Sequence, residues 1–211
     1  MRKVLVANAM SLDGYYTGPD GNVMLLELDP SFDEYNAERL QAADTLLLGR
    51  TSFDEFKRFW PAVADDPDQK FTPAQREVSR LDNAIDKLVV SDTLGVEDTE
   101  PWQDNTQVVS RADAHDVIAK LKRQKKGDDI LIFGSRTLWS DLLARGLVDE
   151  LHFMVGPVVI GAGTPMFDQP VASAHRPDRP IDSPQSLRLA DSRTWDQSGN
   201  VLIRYEVCYD G

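Results

Sequence analysis

Apolar residues in this chain gather into short unbroken runs, each closed by glycine, a hydroxyl residue or a helix signal. The first run, Val4–Met10, has strand length and, but for Asn8, the continuous apolarity of a strand buried on both faces. Ser11-Leu12-Asp13-Gly14 breaks it, and Gly18-Pro19-Asp20-Gly21 makes a further turn. Helical spacing follows. Phe32, Asn36, Leu40 and Ala43 share one face behind an S-x-x-E capping box of Ser31 and Glu34, with Asp33 in the first turn. Thr45–Leu48 reads as a second buried strand and Thr51–Trp60 as a short helix ended by Pro61. Ala62–Lys70 is acidic, aperiodic and broken by proline, so it reads as a surface loop.

Thr72-Pro73-Ala74-Gln75 opens the next helix, with proline at its first position and glutamine placed to complete a capping box. Lys87–Ser91 and Thr106–Ser110 are the third and fourth strands. Asp113 is the expected cap of a helix carrying Ala114, Val117, Ile118 and Leu121 on one face and closed by Gly127. Ile130–Phe133 is a fifth strand. Gly134-Ser135-Arg136-Thr137 leads from it into a helix with Leu138, Leu142 and Leu143, stopped at Gly146. Glu150–Val155 is a sixth strand, followed by the loop Pro157–Phe167 and the proline-rich connector Gln169–Pro184. Only at the end does the pattern alternate. Ser186–Trp195 and Val201–Val207 flank the turn Gln197–Asn200 as an antiparallel hairpin.

Strands alternating with helices predict an α/β fold with a mostly parallel central sheet and right-handed crossovers, to which the hairpin adds antiparallel edge strands. Neither an internal repeat nor a break in composition divides the 211 residues, so one domain spanning 1–211 is expected.

Composition narrows the function. A net charge of -12 argues against nucleic acid as a partner, since phosphate backbones demand clustered cations. The basic run Lys120–Lys126 lies beside acidic residues and reads as a solvated helix face. Cys208 is the only cysteine, which excludes an internal disulfide and a cysteine-based metal site. Arg2 and Lys3 before Val4–Met10 superficially resemble a signal peptide, but the apolar part is short and no A-x-A-like site follows. With no apolar run of membrane-spanning length, a soluble, cytoplasmic protein is expected, without a membrane partner.

Candidate chemistry sits where strands end, because ligands of open α/β sheets bind beyond the carboxyl ends of the strands. Three strands end in small or hydroxyl residues: Gly49-Arg50-Thr51-Ser52, Ser91, and Gly134-Ser135-Arg136-Thr137. Two of these feed helices and carry an arginine, which suits separated phosphates such as those of NADP. The G-x-G-x-x-G fingerprint and the P-loop are absent, so a dinucleotide would bind in a different fold. Asp13 is a turn residue and also a candidate acid, while Asp33 reads as a first-turn carboxylate interacting with the helix dipole. Tyr15 and Tyr16 either line a pocket or pack at a turn. Trp60 reads as a helix-end anchor, Trp139 as core, and His152 as a satisfied or exposed strand histidine.

M-S-L-D-G after the first strand, L-L-L-G-R-T-S-F, F-W-P, K-L-V-V-S, I-L-I-F-G-S-R-T-L and V-G-P-V-V-I-G-A-G-T-P-M-F occur in that order. Together, over Val4 to Phe167, they resemble the reductase domain of the riboflavin-biosynthesis deaminase/reductase, within the dihydrofolate reductase-like superfamily. The resemblance implies a three-layer dihydrofolate reductase-like fold and NADPH-dependent hydride transfer to a small heterocyclic, ribosylamino-pyrimidine or pterin-like substrate. It implies that Ala7 and its strand lie beside the nicotinamide. Gly49, Arg50, Thr51 and Ser52 would take phosphates, Ser91 would stand near the adenosine, and Gly134, Ser135, Arg136, Thr137 and Leu138 would cradle the pyrophosphate. Asp13 and Asp33 are the catalytic candidates. The zinc deaminase pattern H-x-E…P-C-x-x-C of the bifunctional enzymes is absent, since the chain has one cysteine and His115, His152 and His175, so a stand-alone reductase is expected. The competing function is a non-catalytic NADP(H)-binding sensor. Pairing into a homodimer is expected from the same resemblance.

Overall fold

The computed structural model describes residues 1–68, 70–167 and 185–209. In chain order the strands are β1 (Val4–Ser11), β2 (Tyr15–Thr17), β3 (Ala43–Gly49), β4 (Asp86–Val90), β5 (Thr106–Val109), β6 (Asp129–Phe133), β7 (Glu150–Gly156), β8 (Thr164–Pro165), β9 (Ser186–Thr194) and β10 (Val201–Cys208). The helices are α1 (Pro30–Gln41), α2 (Arg50–Phe59), α3 (Pro73–Ala84), α4 (Arg111–Lys122) and α5 (Arg136–Ala144). The architecture is α/β, with a mostly parallel eight-stranded sheet and a separate two-stranded antiparallel one. Two compact units divide the chain: Met1–Val4 with Asp33–Leu138, and Leu5–Phe32 with Trp139–Gly211.

In the first unit the strands run in the order β5-β4-β3-β6, and each neighbouring pair is parallel. Leu46, Leu47 and Leu48 are all fully buried, which is why β3 reads as an unbroken apolar run rather than an alternating one. Phe53 of α2 is equally buried and meets Trp102 edge-on at 5.9 Å between ring centroids. Trp60 ends α2 against the rings of Phe56 and Phe59, the anchoring role expected of it. The capping box of α3 is present as expected: Gln75 N–H donates to Thr72 Oγ1 at 3.1 Å, and Thr72 N–H to Gln75 Oε1 at 3.0 Å. α4 departs from expectation. Ser110 is its cap, accepting from Asp113 N–H at 3.1 Å, so Asp113 is the capped residue and not the cap.

Arg2 is buried. Its guanidinium donates to the Asp128 carbonyl at 2.8 Å, to Gln124 Oε1 at 3.1 Å and to Thr45 Oγ1 at 2.8 Å, and it pairs with Asp44. Its charge therefore ties the chain start to β3 and the end of α4.

In the second unit the order is β1-β7-β10-β9, with β1 parallel to β7 and the remaining pairs antiparallel. The terminal hairpin is thus where the alternating pattern puts it. β2 and β8 are too short to leave a periodicity and were not legible. Asp29 starts α1: Ser31 N–H donates to Asp29 Oδ1 at 2.9 Å, and Pro30 takes the first helical position. The helix therefore begins one residue before Ser31, which is capped where a capping residue was expected. The Ser198 hydroxyl also donates to Asp29, at 2.6 Å, and pins the hairpin turn to this helix start. Burial opposes ionisation of Asp29, yet the hydroxyls of Ser198 and Ser31 hold its carboxyl below the usual carboxylate range. Trp139 is fully buried and packs with Phe153 and Phe167, as a core residue. His152 is fully buried too, with Nε2 at 2.8 Å from Glu150, which makes it a satisfied strand histidine. The connector Gln169–Pro184, with His175, lies outside the described residues. Among the described residues no helix is long and apolar enough to cross a membrane.

One buried charge pair works against the first unit. Asp82 is 1% exposed, and neither carboxylate oxygen has a hydrogen-bond partner among the described residues. Lys87 donates through Nζ to the carbonyls of Asp82 and Ile85 and lies over the Trp102 ring, 4.2 Å from its centroid. Burial pushes the Asp82 carboxyl up to about 7 and the Lys87 ammonium down to about 8. A raised carboxyl favours the folded state below its unfolded value and loses that advantage as pH rises through about 7. Lowering of the lysine adds a penalty that lifts only as pH rises through about 8, so the pair is most destabilising near neutrality. Asp82→Asn removes the buried charge with little change of shape. It is expected to melt about 4 °C or more above the parent at about pH 8, with the gap closing as pH falls toward about 4, in scanning calorimetry across that range. A gap independent of pH would exclude Asp82 as the titrating group.

Candidate functional site

Parallel pairing brings the carboxyl ends of β3 and β6 out side by side, and the residues just beyond them hold one another. Gly49 N–H donates to Ser135 Oγ at 3.0 Å, and Ser135 N–H donates to Ser52 Oγ at 2.8 Å. Both hydroxyls are buried, and both take over where the strand ladder stops supplying acceptors. Ser135 sits at φ +49 directly after Gly134 at φ +55, a left-handed pair that turns the chain into α5. A side-chain-bearing residue there costs about 1 kcal/mol of backbone strain, which the two bonds offset.

Gly49 is the N-cap of α2 with no side-chain cap over the first-turn amides, so they keep their pull on an anion. Its own conformation, φ -83 and ψ 162, suits any residue. A Cβ there would meet nothing closer than Leu138 Cβ at 3.9 Å and Ser135 Oγ at 4.0 Å. Neither backbone nor packing therefore demands glycine at 49.

Arg50 pairs through Nε with Asp54 Oδ2 at 2.6 Å, one turn along α2 and partly exposed, while Thr51 is exposed. Ser91 lies one residue past β4 and is buried, and its hydroxyl accepts from the amides of Thr93 at 3.1 Å and Leu94 at 3.0 Å. It closes a local turn. Arg136, Thr137 and Leu138 form the first turn of α5, with Thr137 exposed. Asp33, half-buried, stands in the first turn of α1. The structure thus brings Gly49, Ser52 and Ser135 into direct contact, with Arg50 and Arg136 on the adjoining helix starts.

A second clasp lies in the other unit. Ala7 is buried in β1 opposite His152 of β7, and these parallel strands end level, Ser11 beside Gly156. Beyond them, Asp13 Oδ1 accepts from the Ser11 hydroxyl at 2.6 Å and from Ile160 N–H at 3.1 Å, and Oδ2 accepts from Gly161 N–H at 2.8 Å. The Ser11 hydroxyl, with the two amides behind it, holds the Asp13 carboxyl below the usual carboxylate range. A carboxylate so held keeps its charge at neutral pH and serves as an acceptor, the opposite of a proton donor. Tyr15 reaches the same loop, its hydroxyl 3.4 Å from the Gly161 carbonyl, while Tyr16 is half-buried. The acceptor role of Ser52, the participation of Ser11 and the reach of Asp13 to Ile160 were not legible from spacing, since Asp13 and Ile160 are 147 positions apart.

Ser52→Ala strands the Ser135 amide in a buried site, a loss of about 1–3 kcal/mol. The variant is expected to unfold at lower denaturant with an unchanged slope, whereas Thr51→Ala, on the exposed side, should unfold as the parent does.

Over residues 2–200 the sequence matches the family described as the RibD C-terminal domain. It is 31% identical over 206 residues to the uncharacterized protein YyaP of Bacillus subtilis (strain 168), covering 97% of this chain and 94% of that one. Among solved structures, a pyrimidine reductase-like protein of Corynebacterium diphtheriae shares the fold, with TM-score 0.60 and 14% identity over 99% of this chain and 93% of that chain. A diaminohydroxyphosphoribosylaminopyrimidine deaminase/5-amino-6-(5-phosphoribosylamino)uracil reductase of Thermotoga maritima does so with TM-score 0.63 and 13% identity, over 98% of this chain and 57% of that chain.

Proposed function

The chain belongs to the RibD C-terminal domain family, and from that premise we propose that it is an NADPH-dependent reductase of a small heterocyclic substrate of the ribosylamino-pyrimidine or pterin kind. The observation that carries the reading is Gly49. Its backbone would accept any residue and its surroundings leave room for a Cβ, so close approach of a ligand to the chain is the remaining reason for glycine there. The first turn of α2 that follows Gly49 carries no side-chain cap, a fit for a phosphate group.

NADPH, when bound, supplies a hydride to an electrophilic C=N or C=O carbon. The chain's own part is binding and orientation. The first-turn amides of α2 hold phosphate oxygens, and Arg50 adds its charge once it shares or releases Asp54. Ser52 and Ser135 fix the two loops so that the amides need no rearrangement when an anion arrives. Arg136 and Thr137, at the start of α5, extend the anion-binding cradle. Asp13 is committed as an acceptor, so this reading leaves proton delivery to Asp33 or to water.

Calorimetric titration with NADPH tests the reading, and a folded protein that takes up no NADPH at sub-millimolar concentration sinks it. Arg50→Ala is expected to weaken NADPH about tenfold, since a charge-assisted bond to phosphate is lost. Its melting temperature should stay within about 2 °C of the parent's, because the Arg50–Asp54 pair is partly exposed and contributes little. Gly49→Ala should behave alike, its added methyl group filling ligand space. Unchanged affinity in both variants would remove this loop from the site. Tight NADPH binding with no turnover of pyrimidine or pterin acceptors would instead mark a cofactor-binding sensor.

A further inference from the structure

The loop beyond β7 is fastened to the turn beyond β1 at every step. Leu12 N–H donates to the Val158 carbonyl at 2.8 Å, Asp13 takes the amides of Ile160 and Gly161, and Met166 N–H donates to the Gly14 carbonyl at 2.8 Å. β2 and β8 continue the seam, pairing Tyr15 with Pro165 and Thr17 with Thr164. Gly163, at φ +133, lets the chains press together: a Cβ there would stand 2.2 Å from the Thr17 carbonyl oxygen.

Fastening of this kind normally closes a core. Here it does so at one end alone, where Met166 and Thr17 are buried. Asp13 is exposed, and so are two apolar side chains of the clasped segments, Leu12 at 67% and Val159 at 71%, while Val158 and Ile160 are half-buried. Hydrogen bonds in water add little stability, so what the carboxylate fixes is geometry. The geometry fixed is that of two loops leaving the carboxyl ends of adjacent parallel strands, with an apolar side chain on each. That is where α/β proteins meet their small ligands. Exposed apolar side chains held rigid at such a place have the chemistry to lie against the flat face of a heterocycle.

We propose that Asp13 is a positioning residue that latches the 157–163 loop to the turn after β1, and that the latched pair, through Leu12 and Val159, forms the wall on which the substrate's heterocycle rests. The proposal rests on the reductase reading for its substrate, and on the hydrogen bonds alone for its latch. Asp13 acts through the two amides it holds. The apolar side chains make the contact.

Asp13→Asn retains one acceptor oxygen, so it cannot hold both amides and the Ser11 hydroxyl as the carboxylate does. Four measurements decide the matter. Amide hydrogen exchange at Ile160 and Gly161 should quicken about tenfold or more in Asp13→Asn, since an amide's protection follows the local opening of its bond. Melting temperature should stay within about 2 °C of the parent's and NADPH affinity within about twofold, because no core contact is lost. With 5-amino-6-(5-phosphoribosylamino)uracil as probe, KM should rise about tenfold with a much smaller change in kcat, the mark of lost ground-state positioning. Val159→Ser, which leaves every latch bond in place, should raise KM similarly without changing exchange at Ile160 or Gly161.

Unchanged exchange in Asp13→Asn overturns the latch. A fall in kcat at constant KM overturns positioning in favour of direct chemistry by Asp13. A large fall in melting temperature, with NADPH and pyrimidine weakened together, overturns it in favour of a purely structural brace. If the parent neither binds nor reduces the pyrimidine, the substrate reading fails. The latch is then decided by exchange alone, with quickened amides supporting it and unchanged amides overturning it.

Discussion

A parallel strand pair ends with a problem that its own ladder cannot solve. Up to the last rung each amide finds a carbonyl on its neighbour, but past it the two chains diverge with donors still facing inward. Water can satisfy those donors only if the loops are left free to move. Both units of this protein take the other course and supply side-chain oxygens just beyond the strand ends. Beyond β3 and β6 they are the hydroxyls of Ser52 and Ser135, and beyond β1 and β7 the carboxylate of Asp13. The shape of each loop, and with it any site built there, depends on these acceptors.

The two solutions differ in what surrounds them, and the difference sorts stability from function. Ser52 and Ser135 are buried, so losing either leaves an amide stranded out of water and the fold suffers. Asp13 is exposed, and its partners can turn to solvent at little cost. Stability comes from elsewhere, from the closed apolar runs of β3 and β6 and from the aromatic packing of Phe53, Trp102 and Trp139. It is strong enough to carry Asp82 and Lys87 out of water without a bond between carboxylate and ammonium, a burden that a chain selected for stability alone would drop.

How much of this the sequence disclosed follows from the range over which each interaction acts. Val4–Met10 and Thr45–Leu48 were legible as strands because double-sided burial demands a nearly continuous apolar run, broken here only by Asn8 and the leading Thr45, and the box Thr72–Gln75 because its partners are three positions apart. The hairpin of β9 and β10 announced itself by alternation. Ser31 and Asp113 misled for one shared reason. Each is a good capping residue beside a better placed one, and only the exit angle of the preceding chain decides between Asp29 and Ser31, or Ser110 and Asp113. The burial of Asp82 and Lys87 left no trace in the sequence, where both sit in an ordinary charged stretch.

The same rule of range explains why the strand-end clusters of the two units were unequally visible. Gly49 to Ser52 and Gly134 to Leu138 are each contiguous, because a helix start presents its amides in sequence and an anion asks for little else. Recognition of a heterocycle has no such local form. It needs surfaces from separate loops, and the latch proposed to hold them is one side chain reaching across 147 positions to Ile160. A strand-end motif can therefore announce a phosphate site in any chain that carries it, while the wall proposed at Leu12 and Val159 forms only once β1 and β7 have paired. Side chains at Leu12 and Val159 can change without disturbing a single hydrogen bond of the latch, so the proposed wall is free to vary while the fold stays as it is.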